Sequence, residues 1–116
     1  DDPEQARCVA DLIDASSACF VPITVVLELE WVLRGAYQLP RESIIRAFRG
    51  LIAIRHLQLE QEQQVLQALE AYGQGLDFAD ALHLLRSEGC AALVSFDRAF
   101  AAKAGELALT PAVRQL

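Results

Sequence analysis

Ala91-Ala92-Leu93-Val94-Ser95-Phe96-Asp97 sets a short apolar run directly against an acid, and the reading of the whole chain turns on it. The run has strand length, and its unbroken apolar character suits a parallel strand covered on both faces. Asp97 then starts a helical stretch to Ala104. A strand that hands over at once to a helix is half of a βα unit, and the rest of the chain repeats the theme.

Working backwards, Asp77 caps a helix through Phe78, Ala81, Leu82 and Leu85 that stops at Gly89. Gln61 to about Tyr72 is helical, with Val65, Leu66 and Leu69 inward, and Gly73 and Gly75 end it. His56-Leu57-Gln58-Leu59 alternates as a strand does, and Arg41 to about Ala53 is an amphipathic helix through Ile44, Ile45, Phe48, Leu51 and Ile52. Thr24 is placed to cap a helix with Val25, Leu29, Val32 and Leu33 inward, after a short strand at Cys19-Phe20-Val21-Pro22. Asp2-Pro3-Glu4-Gln5 opens the first helix, with Asp2 as cap and a stripe of Val9, Leu12 and Ile13. Thr110 to Leu116 is a candidate last strand. Strands separated by helices imply an α/β fold with a central, mainly parallel sheet between helical layers, in one domain spanning residues 1–116.

Composition narrows the function. The chain is 53% hydrophobic and 22% charged, which fits a folded core and argues against disorder. No apolar run approaches the ~20 residues of a membrane span. The chain opens on Asp1 and Asp2 rather than a basic leader, so a cytoplasmic protein is expected. Cys8, Cys19 and Cys90 are odd in number and unpaired by spacing, which suits three small buried side chains rather than a disulfide or zinc framework. The net charge of −6 argues against a general polyanion coat. Yet from Arg34 to His56 there are five arginines and one acid, a local +4 that is either a solvated face or a phosphate-contacting one.

Ligands in α/β folds bind outside the carboxyl ends of the strands, and those positions are acidic here. Asp97 ends the Leu93–Phe96 strand, Glu28 sits one turn into the helix after Phe20-Val21, and Asp77 and Asp80 share one face of their helix. Each has a structural reading too. Asp77 and Asp97 serve as caps, and Asp80 complements a helix dipole. Glu28, flanked by Leu27 and Leu29, is hardest to explain that way and is expected at the edge of the apolar stripe or partly buried, whereas Glu30 is expected in solvent and Trp31 in a core or interface. Converging carboxylates raise one another's pKa unless a cation neutralises them, so Glu28, Asp80 and Asp97 are candidate Mg²⁺ or Mn²⁺ ligands. His83, one turn after Asp80, either packs or touches a ligand. Neither histidine sits in a recognisable nucleophile triad, and no glycine-rich phosphate loop is present.

Three segments together resemble the PIN-domain ribonucleases of the VapC type. Val21-Pro22-Ile23-Thr24-Val25-Val26-Leu27-Glu28-Leu29-Glu30-Trp31-Val32-Leu33 is similar to their second-acid motif, Leu76-Asp77-Phe78-Ala79-Asp80-Ala81-Leu82-His83 to the third, and Leu93-Val94-Ser95-Phe96-Asp97-Arg98-Ala99-Phe100 to the last. The resemblance implies a Mg²⁺- or Mn²⁺-dependent endoribonuclease toxin, silenced by a cognate antitoxin and acting as a homodimer on RNA. It places Glu28, Asp80 and Asp97 in the catalytic and metal-binding roles, with Asp77, Ser95, Thr24 and Arg98 as ligand-orienting or substrate-contacting residues. Arg34, Arg46 and Arg49 are further phosphate-contact candidates. The family pattern opens with a strand ending in Asp-Thr-Asn that this sequence lacks. With no methionine in the chain either, roughly a dozen or more upstream residues, a strand and a turn, are expected to be missing. A non-catalytic PIN-like module that binds protein or RNA is the alternative.

Overall fold

The computed structural model describes residues 3–116. The chain runs α1 (Pro3–Ala15), β1 (Cys19–Val21), α2 (Ile23–Gly35), α3 (Arg41–Ile52), β2 (Leu57–Leu59), α4 (Glu62–Gly73), α5 (Phe78–Leu85), β3 (Ala92–Ser95), α6 (Arg98–Glu106) and β4 (Ala112–Gln115). The fold is α/β with parallel strands, as the alternation of periods predicts. Its sheet is small and divided: β1 pairs with β2 through Cys19–Leu57, Phe20–Gln58 and Val21–Leu59, and β3 pairs with β4 from Ala92–Ala112 to Ser95–Gln115. Among the described residues the two pairs are not joined by hydrogen bonds into one sheet.

The core lies where the helices meet. Phe48 of α3, Tyr72 of α4 and Phe78 of α5 form an aromatic centre, with ring centroids 5.4 Å apart for Phe48–Phe78 and 5.8 Å for the edge-on Tyr72–Phe78 pair. Helix α5 is the most committed to it, burying Phe78, Ala81, Leu82 and Leu84. In α4 the buried residues Val65, Ala68, Leu69 and Tyr72 follow the three- and four-residue steps of one helical face. Between α4 and α5, Gly75 adopts φ +109°, a left-handed conformation that glycine takes without a Cβ clash, and the turn delivers the chain to Leu76 and Asp77.

Several sequence expectations are corrected. Val94, read as covered on both faces, is 44% exposed, and Phe96 just beyond β3 is 81% exposed, so among the described residues one face of this strand is left open. Helix α1 buries none of its residues, so the Val9–Leu12–Ile13 stripe has no core to face. The Asp2 cap lies outside the described residues. Consistent with a helix standing off the core, the radius of gyration is 15.8 Å, against about 13 Å for a compact chain of this length. Cys8 and Cys90 are exposed and Cys19 is half-buried, so none is the buried hydrophobe its residue type suggests. Trp31, read as a core or interface residue, is 66% exposed, which rules out the core and leaves the interface reading. Thr24 does not cap α2. The helix starts two residues earlier than a Thr24 cap implies, at Ile23, whose N–H donates to Glu60 Oε1 at 2.8 Å, so the cap comes from the residue after β2.

Candidate active site

The acids of the last two motifs stand at adjoining helix starts. Asp77 precedes α5 in extended conformation (φ −61°, ψ 138°), and its Oδ2 accepts from the Asp80 N–H at 3.0 Å. Asp97 does the same for α6: its Oδ1 accepts from Phe100 N–H at 3.0 Å, while its own N–H donates to Ser95 Oγ at 3.0 Å. Both acids are therefore caps, as their positions allow. Each cap uses one carboxylate oxygen and leaves the other without a hydrogen-bond partner among the described residues. Ser95 fixes the backbone from which Asp97 projects.

Asp80 has a different environment. It sits in the first turn of α5, partly buried, and its carboxyl is held above the usual aspartate range. Burial is the largest cause, followed by the charges of Asp77 and then Asp97; His83 opposes them. Asp77, Asp80 and Asp97 thus share one electrostatic field, the condition under which carboxylates favour a proton or a cation between them. The donors are all oxygen, which suits a hard divalent ion.

Glu28 is not part of that field. It is exposed, makes no hydrogen bond or ion pair among the described residues, and is not among the charges that act on Asp80. Among the described residues no three His, Cys, Asp or Glu side chains converge closely enough to hold a metal ion. The donor chemistry and charge of the Asp77–Asp80–Asp97 group therefore fit a cation, while its geometry is open. Thr24, Arg98 and His83 are exposed nearby in sequence.

The acid that α2 buries is Glu30, not Glu28. Successive helix positions turn by about 100°, so Ile23, Val26 and Glu30 fall on one face and Glu28 falls almost opposite. Glu30 is 3% exposed, and its Oε2 accepts from Arg34 Nε at 2.8 Å and from the Tyr72 hydroxyl at 3.1 Å. Arg34 is held above its ordinary value chiefly by that hydrogen bond and by the charge of Glu30, with Asp77 contributing less. Arg41 stacks over the Tyr72 ring at 4.4 Å and donates from Nη1 to the carbonyls of Tyr72 and Leu76, both at 2.8 Å. This cluster ties α2 and α3 to the segment that ends at Asp77. Its one sequence-visible sign is the Glu30–Arg34 spacing, an i,i+4 pair; the roles of Tyr72, Arg41 and Glu60 depend on long-range contacts that no local pattern announces.

Parallel strand pairs flanked by helices, with carboxylates where a strand meets a helix start, define an α/β domain with an acidic site. The chain belongs to the PIN domain family, whose match covers residues 1–106. PIN domains are generally nucleases and typically use divalent metals. No curated protein and no solved structure matches the chain.

Proposed function

We propose that this PIN domain is a Mg²⁺- or Mn²⁺-dependent endoribonuclease of the VapC type, the toxin of a toxin–antitoxin pair. The observation that carries the reading is the partly buried Asp80 carboxyl, raised by burial and by the facing charges of Asp77 and Asp97 where β3 meets α6. A cluster of that kind is unfavourable by itself and is relieved by a cation.

In this reading Asp80 and Asp97 hold the ion, and Glu28 joins them. Asp77 keeps the first turn of α5 in place through the Asp80 N–H, and Ser95 does the same for Asp97. Arg98 offers positive charge to the scissile phosphate, and Thr24 stands at the start of the Glu28 helix. When bound, the ion supplies Lewis acidity to the phosphodiester and eases deprotonation of the attacking water. The exposed Phe20, Trp31 and Phe96 favour protein contacts, in keeping with a homodimer and with an antitoxin whose tail crosses the acidic site. No described helix is long and apolar enough to cross a membrane; action on RNA in the cytoplasm is part of the proposal.

The test is cleavage of a mixed RNA pool with Mn²⁺ or Mg²⁺ against EDTA, for the parent chain, Asp80→Asn and Asp97→Asn. The reading expects cleavage that needs the metal and is lost in both variants. The alternative, a PIN-like module that binds without cutting, is favoured by the exposure of Glu28 and the open geometry of the acids. RNA binding that persists in EDTA, with no cleavage under any metal, would establish that alternative.

A further inference from the structure

The five arginines between residues 34 and 56 have two fates. Arg34 and Arg41 are engaged, the first with Glu30 and the second with two backbone carbonyls and the Tyr72 ring. Arg46, Arg49 and Arg55 are exposed, and among the described residues none of them forms an ion pair. Among the described residues their one side-chain hydrogen bond is from Arg46 Nη2 to Ser43 Oγ at 3.3 Å. In a chain with 16 acidic and 10 basic residues, three neighbouring guanidinium groups without a carboxylate partner are not balanced internally.

Their placement is ordered. Helix α3 buries Ile44 and Phe48, and Arg46 and Arg49 lie on its opposite side, three residues and ~4.5 Å of rise apart. Arg55 follows in the turn after the helix. At the other end of α3, Arg41 grips the Leu76 carbonyl, next to Asp77. Arg41 thus ties the start of α3 to the segment that carries Asp77, and the three exposed arginines lie further along the helix and just beyond its end. An acidic site repels a polyanion until a cation is present, so its affinity for a nucleic-acid strand has to come from basic groups outside it.

We propose that the outer face of α3, through Arg46, Arg49 and Arg55, holds the phosphate backbone of the RNA strand flanking the cleavage point. The choice of RNA rests on the ribonuclease reading; the anion-binding face rests on the arginines alone. Arginine suits the role because its planar donors match phosphate oxygens in pairs.

The experiment measures binding of a labelled single-stranded RNA oligonucleotide by fluorescence anisotropy, in EDTA and over a salt series, on an Asp80→Asn background that separates binding from cleavage. Arg46→Gln/Arg49→Gln/Arg55→Gln is compared with a charge-matched control, Arg7→Gln/Arg86→Gln/Arg114→Gln, since all six are exposed and their loss spares the core. Each lost phosphate contact on a single strand flattens the log–log salt slope by about 0.7, so the α3 variant should lose about 2 and bind at least about ten-fold more weakly at low salt. The control should keep the parent slope. Equal losses in both variants, no loss in either, or no RNA binding by the Asp80→Asn parent would each overturn the proposal. So would α3-dependent binding of a poly-glutamate peptide in place of RNA, which would assign the face to an acidic protein. Failure of the nuclease reading would appear separately, as absent cleavage by the parent chain with metal while these binding results stand.

Discussion

Replacing Tyr72 with phenylalanine isolates one hydrogen bond in the buried cluster. The ring stays beneath Arg41 and edge-on to Phe78, and the Arg41 bonds are unaffected because they go to backbone carbonyls. What disappears is the hydroxyl that donates to Glu30 Oε2 at 3.1 Å. A hydrogen bond to a charged acceptor contributes about 1.5–3 kcal/mol. The loss stays below the ~3–5 kcal/mol of an unpaired buried charge, because Arg34 still donates to the same oxygen and its half-exposed side chain keeps water nearby. Urea unfolding should show a lower midpoint at unchanged slope, equivalent to about 1.5–3 kcal/mol. The same residue gives a pH signature. Its phenol is pushed up to about 12 by burial first, then by the charge and hydrogen bond of Glu30, against an ordinary value of 10.0. The folded state thus keeps a proton that the unfolded chain releases. Stability is intact below pH 10 and is lost as pH rises towards 12, and Tyr72→Phe should lack this alkaline slope. A variant within about 0.5 kcal/mol of the parent, with the same alkaline slope, would refute the assignment.

Glu60→Ala should destabilise the chain by about 0.5–2 kcal/mol, since it removes a side-chain cap of α2, and amide exchange at Ile23 should rise; Glu60→Gln should recover most of the loss. Asp80→Asn should raise the melting temperature by a few degrees at neutral pH in EDTA, because a partly buried charge facing Asp77 and Asp97 is removed. The parent protein should gain a thermal shift on adding Mn²⁺, and the same variant should lose it. A melting temperature that falls in EDTA would mean that the Asp80 charge is stabilised where the geometry makes it strained.

Strand and helix periods were legible along the whole chain, and Asp77 and Asp97 occupy the cap positions that their neighbours in sequence suggest. The failures share a cause. Glu28 and Glu30 both border apolar residues, and only the angle set by Ile23 and Val26 decides which is buried. Neither Tyr72 nor Arg41 carries a local mark of its partnership with that buried acid. Val94 has the residue type of a covered strand, but residue type records what a strand tolerates, not what packs on its faces. Likewise the α1 stripe is amphipathic in sequence, but amphipathicity says only that a face wants cover. Glu60 lies 37 residues from the helix it caps, beyond any local motif.

The most direct test of the acidic-site account is metal-dependent cleavage of a mixed RNA pool by this chain. It should be run beside Asp80→Asn and Asp97→Asn. The account predicts cleavage in Mn²⁺ or Mg²⁺ that either substitution abolishes. No cleavage by the folded chain, with metal binding unchanged by Asp80→Asn, would contradict it.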